Sequence, residues 1–434
     1  MKKILVILFI TISSLYCDAQ EGIPISKQEV IAKVTENNNK LKIFEQDVLA
    51  AKGDFNQTNA VFLPNITASY TGIATTNPLM AFGSKLNQGI LTQNDFDPNL
   101  LNNPSQTQNF ATIIEIQQPL LNLDGIYQRK AARSKFNASE FQLERSKEYL
   151  NIEAEKAYMQ LQLAYKTITV LETAKKAISE NLRLAENSFK QGYLQKADVL
   201  AVEVRATEVE NQLQYARSNV KNASNYLSVL MNDTSYTVYF PIDSLQLYSE
   251  VISVEDLSEN RADLLAMQAA TDAYEQMYKA DKMNFLPRLN AFGSYELYDN
   301  EIFQAGANGY LFGASLSWNV LEGTKRFGKT QTSKAEFKKS EFEYDQYKAE
   351  SQMELNRAKR MLMDAKNNLK LTDLGLQQSK EALRIRTNRF KEGLEKTSDL
   401  LIAETQFSQK QLEYYNTIFQ YNYAWVYVQF LTKK

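Results

Sequence analysis

The side chains that could do chemistry in this chain are carboxylates without the partners that catalysis needs. The 434 residues include 51 aspartates and glutamates, a single cysteine, Cys17, and no histidine. Histidine is the commonest general base and metal ligand, so its absence excludes Ser/His/Asp, Cys/His and histidine–metal constellations. No glycine-rich loop ending in Lys-Ser or Lys-Thr could cradle a phosphate. We therefore expect no enzymatic activity, no cofactor and no metal site.

One long segment of the sequence occurs twice in nearly the same form. Residues 187–203 return as residues 388–404, with Asn, Phe, Lys, Gly, Asp, Leu and Glu at the same spacing. Two shorter landmarks recur in the same order: Leu63-Pro64 as Leu286-Pro287, and Leu123-Asp-Gly125 as Leu321-Glu-Gly323. Three matched landmarks in one order indicate an internal duplication.

Both copies of the repeat predict long coiled-coil helices. Apolar residues recur at steps of three and four up to the shared glycine and again after it, and that spacing is typical of a coiled-coil seam. A helix over residues 126–190 would be on the order of 100 Å long at about 1.5 Å per residue. Each half is therefore predicted to be a helical hairpin, with its tip at 190–198 or 391–399.

The predicted tips repeat the same turn residues. Gly192 and Gly393 fit the left-handed residue that ends a helix. Asp198 and Asp399 precede apolar residues and are predicted to be the N-caps of the returning helices. The sequence thus predicts that each chain reversal is made by a glycine and restarted by an aspartate.

A shorter helix is expected to precede the strands of each half. Ser26-Lys-Gln-Glu29 is a capping-box pattern followed by helical apolar spacing. A similar helix is predicted to begin at Ser253 and to run to about Met283. The β-rich residues 234–242 between the halves predict a small strand.

Four segments of about ten residues alternate between apolar and polar side chains, which predicts four strands. They cover residues near 66–71, 110–117, 289–296 and 310–319. On the last, we expect one apolar face to meet lipid: Tyr310, Phe312, Leu316 and Trp318. Glu115 and Glu296 fall on the inward faces of their strands, where they would either line a pore or lie at a rim or loop position. A half-buried sheet in a soluble protein would give the same alternation.

Four strands in lipid cannot stand alone. A membrane barrel needs about eight or more, and an open sheet would leave unsatisfied backbone groups in the bilayer. Three copies would supply twelve strands. Between the first two strands, the proline- and glycine-containing residues 77–109 are predicted to form a long loop, and residues 299–307 a short one, both outside the cell.

The N-terminus has the pattern of a secretory signal peptide. Met1-Lys-Lys precedes the apolar residues 4–12, and a cleavage site near Ala19 is plausible. Cys17 is either lost with the signal or a lipid anchor. The net charge of −2 lacks the basic footprint that nucleic acid requires.

The predicted fold is mainly α-helical with a β-barrel part. Its expected divisions are a signal peptide (1–19), the first helix of repeat 1 (20–62), membrane strands 1 and 2 with their loop (63–119), helical hairpin 1 (120–231), an equatorial segment with the first helix of repeat 2 (232–285), membrane strands 3 and 4 (286–320), and helical hairpin 2 with the C-terminal segment (321–434).

These duplicated landmarks resemble the outer membrane efflux protein (TolC) family across about residues 26–431. The resemblance implies a homotrimer in the outer membrane, with a twelve-stranded barrel and an α-helical tunnel that extends into the periplasm. It also implies a periplasmic adaptor (membrane fusion) protein and an inner-membrane pump of RND, ABC or MFS type as partners, and no nucleic acid.

The resemblance assigns the tips to adaptor docking, although the same residues could simply make the turn. The implied docking residues are Phe189, Gly192, Leu194 and Asp198 in the first tip, and Phe390, Gly393, Leu394 and Asp399 in the second.

The family often closes its periplasmic entrance with a tyrosine and an arginine. This chain has Phe390 and Glu395 at those places, which puts that link in doubt. The carboxylates of Glu392, Glu395 and Asp399 would instead make the entrance acidic and favour cations.

The function that these expectations support is a passive exit duct of a tripartite efflux or type I secretion system. The alternative is a periplasmic coiled-coil structural or adaptor protein without a pore. The sequence leaves the exported substrate open.

Overall fold

The long helices form two antiparallel hairpins, as the repeat predicts. A computed structural model describes residues 22–248 and 256–433, so the predicted signal peptide and Cys17 lie outside the described residues. Helices α5 (Leu123–Lys190) and α6 (Lys196–Met231) form hairpin 1, and α8 (Lys325–Lys391) and α9 (Thr397–Thr432) form hairpin 2. None of the helices in the described ranges has the length and apolar composition needed to cross a membrane.

The chain divides into two units. The first contains the described parts of 1–43, 145–258 and 351–434, and the second contains 44–144 and 259–350. The first unit holds the tip-proximal parts of both hairpins. The second holds the larger sheet and the segments that begin the long helices.

The predicted seam is buried. The buried seam residues of hairpin 1 include Ala154, Ala157, Leu161, Ile178, Ala185, Val199, Val202, Val209, Leu213 and Leu227. In hairpin 2, Leu355 and Ala358 pack with Val428 and Leu431. Burying a leucine or valine side chain contributes about 1.5–3 kcal/mol, so the repeated 3/4 spacing supplies much of the stability of each hairpin.

The turns confirm the predicted glycines but not the predicted caps. Gly192 and Gly393 have φ of +81° and +71°. The returning helices begin one turn earlier than predicted, with Gln195 and Lys396 as N-caps. Asp198 therefore lies in the first turn, where its Oδ2 accepts from the Gln195 backbone N–H at 3.1 Å. The prediction failed because glutamine and lysine are not among the Ser, Thr, Asp and Asn residues that usually mark an N-cap.

The helices at the start of the first half are broken where the sequence predicted continuity. Ser26 caps α1 (Lys27–Asn37) as predicted, accepting from the Glu29 backbone N–H at 3.2 Å. At Asn38 the helix breaks before α2 (Asn39–Gln57), and the buried Asn38 side chain donates to the Leu230 carbonyl at 2.7 Å.

The corresponding helix of the second half is shorter than predicted. Helix α7 (Ala262–Met283) ends where expected but begins after Arg261. The predicted start at Ser253 lies outside the described residues. The small predicted strand is present as β4 (Tyr239–Pro241), which pairs in parallel with β1 (Ile23–Ile25).

Four antiparallel strands form the larger sheet. In order across the sheet they are β2 (Asn65–Thr75), β3 (Thr107–Leu121), β5 (Arg288–Asp299) and β6 (Ala307–Ser317). No other described strand pairs with the outer edge of β2 or of β6. Both copies of the repeat thus contribute one hairpin of strands to a single sheet with two open edges.

The segment between β2 and β3 is not the irregular loop that the sequence predicted. It contains α3 (Pro78–Asn87), a 3₁₀ turn (Gln93–Phe96) and α4 (Pro98–Asn102). Two of its three prolines, Pro78 and Pro98, are the first residues of the two helices, where a missing N–H costs nothing. Asn77 and Asp97 cap them, accepting from the backbone N–H groups of Met80 at 3.2 Å and Asn99 at 2.8 Å.

Candidate functional site

The two predicted lumen carboxylates lie on one face of the larger sheet. Glu115 pairs with Ser294, and Glu296 follows Ser294 by two residues, so all three side chains share a face. Glu296 accepts hydrogen bonds from the Ser294 hydroxyl at 2.9 Å and the Tyr298 hydroxyl at 2.5 Å. This polar face therefore carries two acidic groups, one of them held by neighbouring hydroxyls.

The opposite face of the same sheet is apolar and exposed. Tyr310 and Phe312 are 76% and 77% exposed. The other exposed apolar side chains of this face are Ile66, Tyr70, Ile114, Ile116, Tyr295 and Leu316. Trp318, just beyond β6, donates its indole N–H to the Phe285 carbonyl at 2.9 Å. A continuous apolar surface of this kind requires a covering of lipid or protein.

The first hairpin tip presents an aromatic side chain that the sequence reading passed over. Tyr193 follows the left-handed Gly192 and is 80% exposed, and Phe189 is also exposed. Leu194 instead packs against the buried seam cluster that includes Ile178 and Val199. Among the predicted docking residues, Phe189 is thus accessible, while Leu194 supports the turn from within.

The second tip has the same backbone. The Leu394 N–H donates to the Arg389 carbonyl at 2.9 Å, as the Tyr193 N–H donates to the Ser188 carbonyl in the first tip. Leu394, in the place of Tyr193, is 61% exposed, and Phe390 is half-buried. Both turns therefore hold one apolar side chain in solvent directly after the glycine.

Two arginines clamp Glu395 at this second tip. Arg386 Nη1 lies 2.5 Å from Glu395 Oε1, and Arg389 Nε lies 2.8 Å from Oε2. Arg386 also lies 3.7 Å from a carboxylate oxygen of Asp399. The hydrogen bond from Arg389, followed by the charges of both arginines, lowers the pKa of the Glu395 carboxyl. The tip is thus fixed by an ion-pair cluster within one hairpin.

The acidic entrance stays a prediction, because basic side chains lie among the carboxylates of the second tip. Residues 386–399 contain four basic side chains against the three carboxylates of Glu392, Glu395 and Asp399. Two of those carboxylates are paired with arginine. The sequence argument counted the carboxylates and not the cations beside them, so an excess of negative charge does not follow.

A buried carboxylate joins the two hairpins near their tips. Glu404 is only 6% exposed, and its Oε1 accepts from the Asn181 side-chain amide. Burial raises the pKa of Glu404 to about 7, against the opposing charge of Arg205 and the Asn181 hydrogen bond. Glu404 Oε2 and Arg205 Nε are buried without a hydrogen-bond partner among the described residues. Sequence reasoning missed this group, although Glu404 follows the seam residue Ala403 directly.

Comparisons with known proteins were made on the sequence and on the fold. The profile described as "Outer membrane efflux protein" matches residues 30–233 and 254–432. No curated protein matches the chain.

Several solved structures share the fold over nearly the whole chain. A Pseudomonas aeruginosa membrane protein is 16% identical, with a TM-score of 0.82, and the match covers 94% of this chain and 93% of that one. The Campylobacter jejuni CmeC outer membrane channel is 15% identical (TM-score 0.78, 94% and 85% covered). The Vibrio cholerae outer membrane protein VceC is 16% identical (TM-score 0.78, 93% and 95% covered).

The family profile spans both hairpins and all four strands of the larger sheet. The described residues hold no group of three or more carboxylate or cysteine side chains arranged to bind a metal ion. Because this profile covers most of its length, the chain belongs to the outer membrane efflux protein family, as an efflux protein of the outer membrane.

Proposed function

We propose that three copies of this chain form the exit duct of a tripartite efflux or type I secretion system. The observation that carries the proposal is the larger sheet, which has one apolar exposed face, one polar face and open edges on β2 and β6. In a bilayer, unpaired backbone groups at such edges would cost several kcal/mol each. Pairing β6 of one copy with β2 of the next satisfies them.

The number of chains in the duct follows from the number of strands needed to close a barrel. Four strands cannot close around a lumen, whereas three copies supply twelve, within the range of known membrane barrels. With the Phe312 face toward lipid, the Glu115 and Glu296 face lines the lumen. Energy for export would come from an inner-membrane pump of RND, ABC or MFS type, since the chain lacks a nucleotide-binding motif.

The hairpin tips are the proposed docking sites of a periplasmic adaptor protein. Support comes from their repeated geometry: each left-handed glycine is followed by an exposed apolar side chain, Tyr193 or Leu394. An adaptor with apolar sockets would fit this surface. Glu392, Glu395 and Asp399 would lie at the periplasmic entrance.

The competing function is a periplasmic structural or adaptor protein. In such a protein the apolar face of the sheet would not contact lipid.

The test is a double variant that combines Phe312→Lys and Leu316→Lys. Each substitution would cost about 2–4 kcal/mol on a lipid-facing surface near the midplane of the bilayer. Ser315→Lys on the same strand but the opposite face is the matched control. The duct predicts loss of outer-membrane fractionation for the double variant only. Normal assembly of the double variant would contradict it.

A further inference from the structure

Helix α3 presents its large apolar side chains to solvent rather than to its own sheet. Ala81 and Ser84 of the helix, and Gln88 directly after it, are buried at helical spacing. On the other side, Leu79 is 81% exposed and Leu86 57%, and Met80 is exposed on the flank of the helix. A helix that buries small and polar residues and exposes its leucines lacks a partner for its apolar side.

The helix is fixed to one end of the larger sheet. The side-chain amide of Gln88, directly after α3, donates to the Gln108 carbonyl and to Asn109 Oδ1 at 2.8 Å each, and to the Asp299 carbonyl at 3.1 Å. These bonds tie α3 to the start of β3 and the end of β5. The helix is thus an ordered part of the sheet's end, opposite the end from which β3 leads into α5.

The polar face of the sheet is the face that α3 covers. Thr107, Asn109 and Ala111 are buried at the start of β3, which α3 contacts. They alternate with Phe110, so they lie on the same face as Glu115. The helix therefore lies over what the proposed barrel would make its lumen.

Residues 92–96, which follow α3, contact the helix through an ion pair and an aromatic pair. Lys85 pairs with Asp95 at 2.7 Å, and Asp95 accepts from the Thr92 backbone N–H at 2.7 Å. Phe82 and Phe96 meet edge-to-face at 5.6 Å between ring centroids. The segment is therefore built to keep the orientation of α3.

Resting on the trimer proposed above, we infer that three copies of α3 meet through Leu79, Met80 and Leu86 and constrict the outer mouth of the duct. A helix lying on the lumenal face points its far side toward the barrel axis, where lipid cannot reach. The partner that symmetry brings there is the same apolar side of the other two copies. The chemistry of the constriction is a ring of leucine and methionine side chains, which opposes the passage of hydrated ions.

The first test is disulfide formation between copies in intact cells. Leu86→Cys and Leu79→Cys are oxidised with copper phenanthroline, with the original protein as blank and Ala314→Cys, on the exposed apolar face of β6, as matched control. We expect disulfide-linked dimers from the α3 variants and none from Ala314→Cys. If light scattering finds a trimer and neither α3 variant cross-links, the constriction is refuted and the duct stands. If light scattering finds a monomer, the duct itself fails.

The second test measures access from outside the cell to the lumenal face of the sheet. Glu115→Cys is labelled in intact cells with a bulky, membrane-impermeant maleimide, with and without Leu79→Ser, Met80→Ser and Leu86→Ser together. We expect slow labelling with α3 unchanged and labelling several-fold faster with the three serines. Equal, fast labelling in both would overturn the constriction. No labelling in either would show that the Glu115 face is not reached from outside, which contradicts the lumen assignment and the constriction with it.

Discussion

At the scale of single residues, the two tips differ at one repeat position. Glu395 occupies the place that Leu194 has in the first repeat. Leu194 packs into the seam cluster, whereas Glu395 is held by Arg386 and Arg389. One tip is thus fixed by apolar packing and the other by charge, so the second should respond to salt and pH.

Replacing Glu395 tests the arginine clamp. Because its pKa is lowered in the folded tip, its contribution is present above the ordinary carboxyl value and is lost as pH falls through the lowered value. Glu395→Gln should therefore speed amide hydrogen exchange of residues 394–399 at neutral pH. The exposed Glu392→Gln is the control and should leave exchange unchanged. Equal exchange in Glu395→Gln and the original protein would show that the clamp does not order the tip.

Glu404 makes the contact between the hairpins pH-dependent. Its pKa of about 7 in the folded protein exceeds the ordinary glutamate value of about 4.3. The folded state therefore holds its proton longer, and the free energy of opening falls as pH rises between these values and stays low above them.

Glu404→Gln should remove this pH dependence, because the amide cannot ionise. At pH 8, we expect the segments of α5 and α9 near Asn181 and Glu404 to be better protected from hydrogen exchange in Glu404→Gln than in the original protein, by on the order of 1–3 kcal/mol. At pH 4.5, we expect the two proteins to exchange at nearly the same rate. Hydrogen exchange at both pH values measures this. Glu203→Gln, the repeat counterpart, is the control. If protection from exchange changes with pH equally in Glu404→Gln and the original protein, the pH dependence does not come from Glu404.

At the scale of elements, the hairpins were predictable and the segment over the sheet was not. The 3/4 spacing and the repeated glycines dictate α5, α6, α8 and α9, because a seam of that length has no other way to bury its side chains. Pro78 and Pro98 were misread because a proline that begins a helix looks in sequence like one that interrupts it. The exposed leucines of α3 likewise have no signature in one sequence.

Two glycines, one in a turn and one inside a helix, give predictions of opposite sign. A β-carbon at Gly192 would meet no atom within 4 Å, so Gly192→Ala should cost only the left-handed backbone, about 1–2 kcal/mol. Gly53, inside helix α2 and equally uncrowded, should instead gain about 0.5–1 kcal/mol as alanine. Apparent melting temperatures at one scan rate should fall for the first variant and rise for the second. A rise for Gly192→Ala would contradict the turn's role.

At the scale of the whole molecule, the duplication explains why one chain is incomplete. Each repeat supplies one helical hairpin and two strands, and both pairs of strands join one sheet. That sheet keeps two open edges and an uncovered apolar face. The strands and their faces could be predicted from alternation alone. The buried Glu404 could not, because its burial depends on α5 and α6 packing beside α9.

The central claim is that three copies close the sheet, and the mass of the purified mature protein tests it most directly. Multi-angle light scattering of the detergent-solubilised protein, corrected for bound detergent, should give three chains per particle. Negative-stain images of the same particles should place the detergent belt at one end. A single chain per particle that keeps its mass without detergent would contradict the closed barrel and the duct built on it.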